Sequence, residues 1–145
     1  MVHLSRREHS RAELRSKLTA QGYQATVTDE ALDGLESERL LDDQRFAESF
    51  VRMHAGRGQG PRRIRQDLLG AGIGATLIDQ ALEQGGDWSV LARETRRRKF
   101  GDETPADWAE RGRQARFLQY RGFSTDHIRS ALGGSEADLD LDPDP

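Results

Sequence analysis

The sequence predicts an all-α protein of tandem three-helix repeats, and three observations carry that expectation. Five columns repeat with a period of 50 residues. Amphipathic segments with a 3.6-residue period are bracketed by helix-capping residues. No segment alternates apolar and polar residues as a half-buried strand does. The columns are Leu18, Leu68 and Leu118; Gly22, Gly72 and Gly122; Tyr23, Ile73 and Phe123; Ala31, Ala81 and Ala131; and Leu32, Leu82 and Leu132. Self-similarity at such a period is the mark of a repeat architecture. About eight helices and no strands are expected.

Ser10-Arg11-Ala12-Glu13 reads as a capping box, in which the Ser10 hydroxyl serves the Glu13 amide and the Glu13 side chain reaches back. Leu14 and Leu18 share a face of the first helix. Gly22 ends it, because a left-handed residue after a helix costs glycine nothing, and Tyr23 is the apolar residue that often follows. A second helix is expected from about Val27 to about Glu38, with Val27, Ala31, Leu32 and Leu35 inward. Asp42 caps a third, from about Asp43 to about Ala55, with Phe46, Phe50 and Met53 inward. The second copy opens at Pro61, whose missing N–H is harmless at a first helical position. Ile64 and Leu68 form its stripe, Gly72 its stop, and Leu77, Ile78, Ala81 and Leu82 the next helix. Asp87 then caps a helix from about Trp88 to about Lys99. The third copy is expected to start with Thr104 as cap and Pro105 as first residue, and to run through Trp108, Ala115 and Leu118 to Gly122. Ser124 caps a last helix with Ile128, Ala131 and Leu132, ended by Gly133-Gly134. The expected division is an N-terminal segment, 1–9; repeat 1, 10–59; repeat 2, 60–103; repeat 3, 104–134, lacking its third helix; and an acidic tail, 135–145.

The 145 residues include no cysteine, so disulfides and cysteine-ligated zinc are excluded. No apolar run approaches the ~20 residues that cross a bilayer. Met1 to Arg15 has no apolar signal-peptide region, and a cytoplasmic protein is expected. Apolar residues are 34% of the chain, a thin core for one globule but enough for small stacked helical units. The net charge of −3 hides an asymmetry: five of the 25 acids fall after Gly133, leaving 20 against the 22 bases in residues 1–132. The tail alternates Asp with Leu or Pro and is expected to be disordered, a solubilising segment or a polyanion competing for the arginines.

The bases cluster. Arg52 to Arg65 holds five arginines and no acid, and Arg93 to Lys99 holds five bases and one acid, Glu94. Arginine suits planar contacts to carboxylate or phosphate. Gly56-Arg57-Gly58-Gln59-Gly60-Pro61 lacks the Gly-Lys-Ser/Thr ending of a phosphate loop and reads as a connector. It leads into a helix start flanked by arginines, where amides and the dipole favour anions. Arg96-Arg97-Arg98-Lys99 reads as a solvated face, with Glu94 and Arg98 as an i, i+4 pair, or as a nucleic-acid footprint. His3, His9, His54 and His127 are scattered, so no metal site is expected. No nucleophile or acid–base frame stands out, so no catalytic residue or cofactor is expected. Trp88 and Trp108 read as packing anchors at helix starts.

Three stretches resemble the RecX regulatory family: RREHSRAELRSKLTAQGY from Arg6, LDDQRFAESFVRMHAGRGQGPRRIRQDLLGAGI from Leu41 and RFLQYRGFSTDHIRSAL from Arg116. The middle stretch is the most specific, with its Asp-Asp-x-Arg-Phe-Ala start and Gly-x-Gly-Pro-x-Arg-Ile core. The resemblance implies three-helix units in a curved, elongated array. It further implies a non-enzymatic regulator that binds RecA in the groove of its filament on DNA, limits filament growth, and dampens its ATPase, strand-exchange and coprotease activities in DNA repair and the SOS response. The residues expected to meet RecA or DNA are Arg52, Arg57, Arg62, Arg63, Arg65, Arg96, Arg97, Arg98 and Lys99. A monomer with weak, sequence-blind DNA binding is expected. The alternative is a stand-alone DNA-binding protein of helix-turn-helix type, which the two-helix, glycine-turn plan permits. Against it, the first third helix offers few base-reading side chains, chiefly Gln44, Arg45 and Arg52.

Overall fold

A computed structural model describes residues 8–133. Among them are eight helices and no strands: α1 (Arg11–Ala20), α2 (Ala25–Ser37), α3 (Asp43–Gly56), α4 (Pro61–Gly70), α5 (Ala75–Gln84), α6 (Trp88–Phe100), α7 (Trp108–Tyr120) and α8 (Thr125–Leu132). The fold class is the one expected. The acidic tail lies outside the described residues.

Most helices begin where their cap residues say they should. The Ser10 box is formed: Ser10 Oγ accepts from Glu13 N at 3.0 Å, and Glu13 Oε1 accepts from Ser10 N at 3.1 Å. Asp42 accepts from Arg45 N, Asp87 from Ser89 N and Val90 N, and Ser124 from His127 N. The exception is α7. Thr104 and Pro105 do not start it; Asp107 caps it instead and accepts from Glu110 N at 3.2 Å. The preceding link is held by two buried arginines. Arg96 donates to the carbonyls of Glu103 and Asp102, and Arg111 to that of Pro105. Backbone acceptors satisfied from outside have no need of a helical turn.

Four inward assignments are corrected. In α2 the buried residues are Thr28, Leu32 and Leu35, while Val27 and Ala31 are exposed. The stripe follows the i, i+4, i+7 line through the leucines that pack with Leu41 and with Leu14 and Leu18. In α3 Val51 and Ala47 are buried with Phe46, and Met53 is exposed. Trp88 packs against the core of α6, α7 and α8, but Trp108, the first residue of α7, is 70% exposed.

Three of the five repeated columns, the leucine, the glycine and the apolar residue after it, form one helix-ending motif. In each copy the amide after the glycine bonds to the column leucine, Tyr23 N to Leu18 O, Ile73 N to Leu68 O and Phe123 N to Leu118 O, at 3.1–3.2 Å. The glycine amide bonds to the following carbonyl, that of Thr19, Leu69 or Gln119. This is the Schellman pattern, with its glycine at positive φ: +94° at Gly22, +84° at Gly72 and +99° at Gly122.

The described chain separates into two compact units. One contains the chain up to Val51 with Gln66–Gln84; the other contains Arg52–Arg65 and the chain from Gly85. The chain passes between them within α3 and α4. Each unit is closed by the same kind of junction, a helix start seated on a Schellman turn. In the first, Ser10 Oγ donates to Ala71 O at 2.7 Å, and a Cβ at Gly72 would overlap that of Ala12. In the second, Gly60 N donates to Arg121 O at 2.7 Å and Arg62 N to Gly122 O at 2.9 Å. A Cβ at Gly122 would lie 2.5 Å from that of Arg63. Donor Ser10 and donor Gly60 are 50 residues apart, as are their acceptors.

Ser10 therefore serves two helices at once. Replacing it with Ala removes the cap of α1 and the bond to Ala71, and stability should fall by about 1–2 kcal/mol. Urea unfolding checks this; a loss confined to a few tenths would mean the seat is held by backbone packing alone.

A core cluster of the second unit joins Ala92, Ala115, Leu118, Phe123, Ile128, Ala131 and Leu132, with Trp88, Leu91 and Phe117 against it. Arg96 and Arg111 are buried at its edge, 2% and 9% exposed. Arg96 Nη1 also reaches Gln114 Oε1 at 3.3 Å. Gln114 in turn donates to Glu110 and, together with Arg113, holds that carboxyl below the ordinary carboxylate range.

A candidate anion-binding cleft

The loop between α3 and α4 is held at its start by a bond between the His54 ring and Gln59 Oε1 at 2.6 Å, and at its end by backbone bonds. Gly60 and Arg62 tie its end to the α7–α8 turn, so Arg57 is carried beside α6 and the end of α7. Arg121 Nη1 adds a long bond to Arg57 O at 3.4 Å. The result is a cleft of about 210 Å³ lined by Arg57, Gly58, Thr95, Arg98, Lys99, Phe117 and Arg121. Four of these seven residues are cations and none is an acid.

Phe117 forms the apolar wall. The Arg121 guanidinium lies 5.3 Å and Lys99 Nζ 5.8 Å from its ring centroid. Phe100 meets the same ring edge-on at 5.3 Å, and Arg113 stands 5.7 Å over Phe100. Each such cation–π pair is worth about 0.5–1 kcal/mol at an exposed site. That offsets only part of the repulsion among four like charges, so an anion in the cleft would be stabilised by all of them. Thr95 is no nucleophile here, since its hydroxyl donates to Leu91 O at 2.7 Å. The arrangement suits binding a phosphate or carboxylate with an apolar or aromatic neighbour.

The two arginine clusters expected to bind are thus partly joined. Arg57, Arg98 and Lys99 meet in the cleft. Arg97 turns away, pairs with Asp102 at 3.2 Å, and lines a separate depression with Glu94, Arg98 and Asp102. The expected Glu94–Arg98 pair is not among the ion pairs of the described residues. Arg96 is buried on carbonyls and is no part of a solvated face. Arg63 has an exposed side chain, while Arg62 and Arg65 are half-buried and Arg52 is exposed; none of these four lines the cleft. Sequence reasoning missed Arg121. Its signal was its place at i+4 from Phe117, where a cation and a ring share a helix face.

Family models for the first, second and third three-helix domains of RecX match residues 1–35, 42–82 and 90–132. Their boundaries group α3 with α4 and α5, and α6 with α7 and α8, one helix out of phase with boundaries drawn from the glycine columns. A regulatory protein RecX of Halorhodospira halophila is 45% identical over 97% of this chain and 88% of its own length. One of Ectopseudomonas mendocina is 46% identical over 92% of this chain and 89% of its own. A crystal structure of regulatory protein RecX has a TM-score of 0.74 at 26% identity, over 89% of this chain and 66% of that one. The crystal structure of RecX from Lactobacillus salivarius has a TM-score of 0.76 at 22% identity, over 90% and 87%, a likeness of fold. Among the described residues no helix is long and apolar enough to cross a membrane. With three domain matches in tandem and relatives near 45% identity over most of its length, the chain belongs to the RecX family of regulatory proteins.

Proposed function

We propose that the chain acts in the cytoplasm by binding, not by catalysis, and restrains the RecA filament on DNA through the cationic cleft. Family membership supports the regulatory role. The observation that carries the site is the convergence of Arg57, Arg98, Lys99 and Arg121 on Phe117 with no acid in the lining. A filament on DNA offers both anions this chemistry takes, backbone phosphates and protein carboxylates. Arg52, Arg62, Arg63, Arg65 and Arg97 would extend the interface around the cleft, and Arg96 acts by holding the link before α7.

The test replaces Arg57, Arg98 and Arg121 together by Ala. All three are at least partly exposed, so stability should stay within about 1 kcal/mol of the parent. The concentration giving half-inhibition of RecA ATPase on single-stranded DNA should rise about tenfold. Binding to bare single strands should weaken as well, with the salt slope falling by roughly 0.7 for each phosphate no longer neutralised. A folded triple variant that inhibits like the parent would remove the cleft from the interface. A parent without effect on RecA would remove the functional reading itself.

A further inference from the structure

We infer that the α1–α2 turn, Gln21–Tyr23, is a docking surface for the start of α7 from a second copy of this chain. The inference rests on the repeat, and it stands whether or not RecA is the partner. Three Schellman turns have the same hydrogen bonds and the same positive-φ glycine. Two of them carry a seated helix start: Ser10–Ala12 on the turn at Gly72, and Gly60–Arg63 on the turn at Gly122. The apolar residue after each of those glycines is covered, Ile73 at 3% and Phe123 at 0% exposure.

The first turn carries no seated helix start among the described residues. None of them lies within 4 Å of a Cβ position on Gly22, and Tyr23 is 54% exposed. Val27, one helical turn further on, is 51% exposed. No hydrogen bond among the described residues reaches the carbonyls of Gln21 or Gly22, which correspond to the acceptors Arg121 and Gly122 of the third copy.

The complementary element is on the same chain. The starts of α1 and α4 each seat on the turn of the next copy, and α7, the third helix of that series, meets no later turn among the described residues. In register with Arg11 and Pro61 it would begin at Arg111; it begins at Trp108, so it projects almost one further turn. That turn carries Trp108 at 70% exposure. A tryptophan on a projecting helix start is a typical anchor residue. Continuing the series from one molecule to the next puts this start on the first turn of a second copy, where Tyr23 and Val27 give it apolar surface. The two surfaces differ, so the interface is heterologous and does not stop at two chains by itself. One helix end on one turn buries less than the ~1,000 Å² of a stable interface. Dilute chains are therefore monomers, and association is expected near ~0.1–1 mM.

Sedimentation equilibrium from about 10 µM to about 0.5 mM tests this on the full chain. The parent's average mass should rise with concentration. Tyr23→Ser and Trp108→Ser should each remain monomeric, with far-UV circular dichroism unchanged, because both side chains are exposed. An equimolar mixture of the two variants retains one intact pair of surfaces and should form a 1:1 dimer and nothing larger. A parent that stays monomeric at the highest concentration overturns the proposal. So do single variants that associate as the parent does. Should the parent stay monomeric while Tyr23→Ser loses inhibition of RecA, the turn's occupant is RecA and self-association is rejected.

Discussion

Replacing Arg111 with Ala should cost about 3–4 kcal/mol, a large share of the ~5–15 kcal/mol that holds a domain together. Arg111 Nη1 donates to Leu132 O at 3.1 Å and to Pro105 O at 3.3 Å, and its other nitrogen reaches Gly133 O. Leu132 closes α8, so two of these acceptors belong to the helix end whose carbonyls lack partners within the helix. A cation there is favoured by up to ~2 kcal/mol, because the helix C-terminus carries partial negative charge. Each bond from a charged donor adds roughly 1.5–3 kcal/mol net. The sum is not fully lost in the variant, since removing the guanidinium also removes the cost of burying it. Arg111→Lys keeps the charge but not the fork, and should recover less than half of the loss. Chemical unfolding of the three proteins decides the matter. An alanine variant within 1 kcal/mol of the parent would mean that water serves these carbonyls equally well.

That arginine also marks where sequence reading stops. Helix starts at Ser10, Asp42, Pro61, Asp87 and Ser124 were legible because a cap acts over three residues. The start of α7 was not. Thr104-Pro105 is a sound local signature, and it lost to bonds from Arg96 and Arg111 that reach across the fold. The inward face of α2 was misplaced for a related reason: Ala31 sits in a repeated column, yet only its counterparts Ala81 and Ala131 are covered. A column records a shared place in the helical plan, not equal burial in every copy.

The candidate site was legible in its charge and not in its shape. Arginine density drew attention to residues 52–65 and 93–99, and three members of those runs do meet. What joins them is a pair of backbone bonds between the α3–α4 loop and a turn some 60 residues later, and no side-chain pattern reports those. The same blindness grouped Arg96 with its exposed neighbours. It left out Arg121, a lone base in sequence.

Gly122→Ala should cost about 3–4 kcal/mol, and Gly22→Ala only about 1–2. Both residues have positive φ, +99° and +94°, where a side chain is strained by about 1–2 kcal/mol. At Gly22 no described residue is in the way. At Gly122 the new methyl would lie 2.7 Å from Arg63 N and 2.5 Å from Arg63 Cβ. A backbone atom cannot swing aside, so either the start of α4 lifts or the turn distorts, adding about 1–3 kcal/mol. Lifting α4 would also draw the 57–60 loop away from α6, so anion binding at the cleft should weaken in Gly122→Ala and not in Gly22→Ala. Gly72 offers the control. Its obstacle is the Ala12 methyl, which can be deleted. Ala12→Gly should therefore return part of the stability lost in Gly72→Ala, although glycine in α1 by itself costs about 1 kcal/mol. A double-mutant cycle at 12 and 72 should give a coupling of about 1 kcal/mol or more, against none for 12 and 22. Equal losses at all three glycines, with no coupling, would mean that the turns need glycine only for its φ and that the seated helix starts contribute nothing to stability.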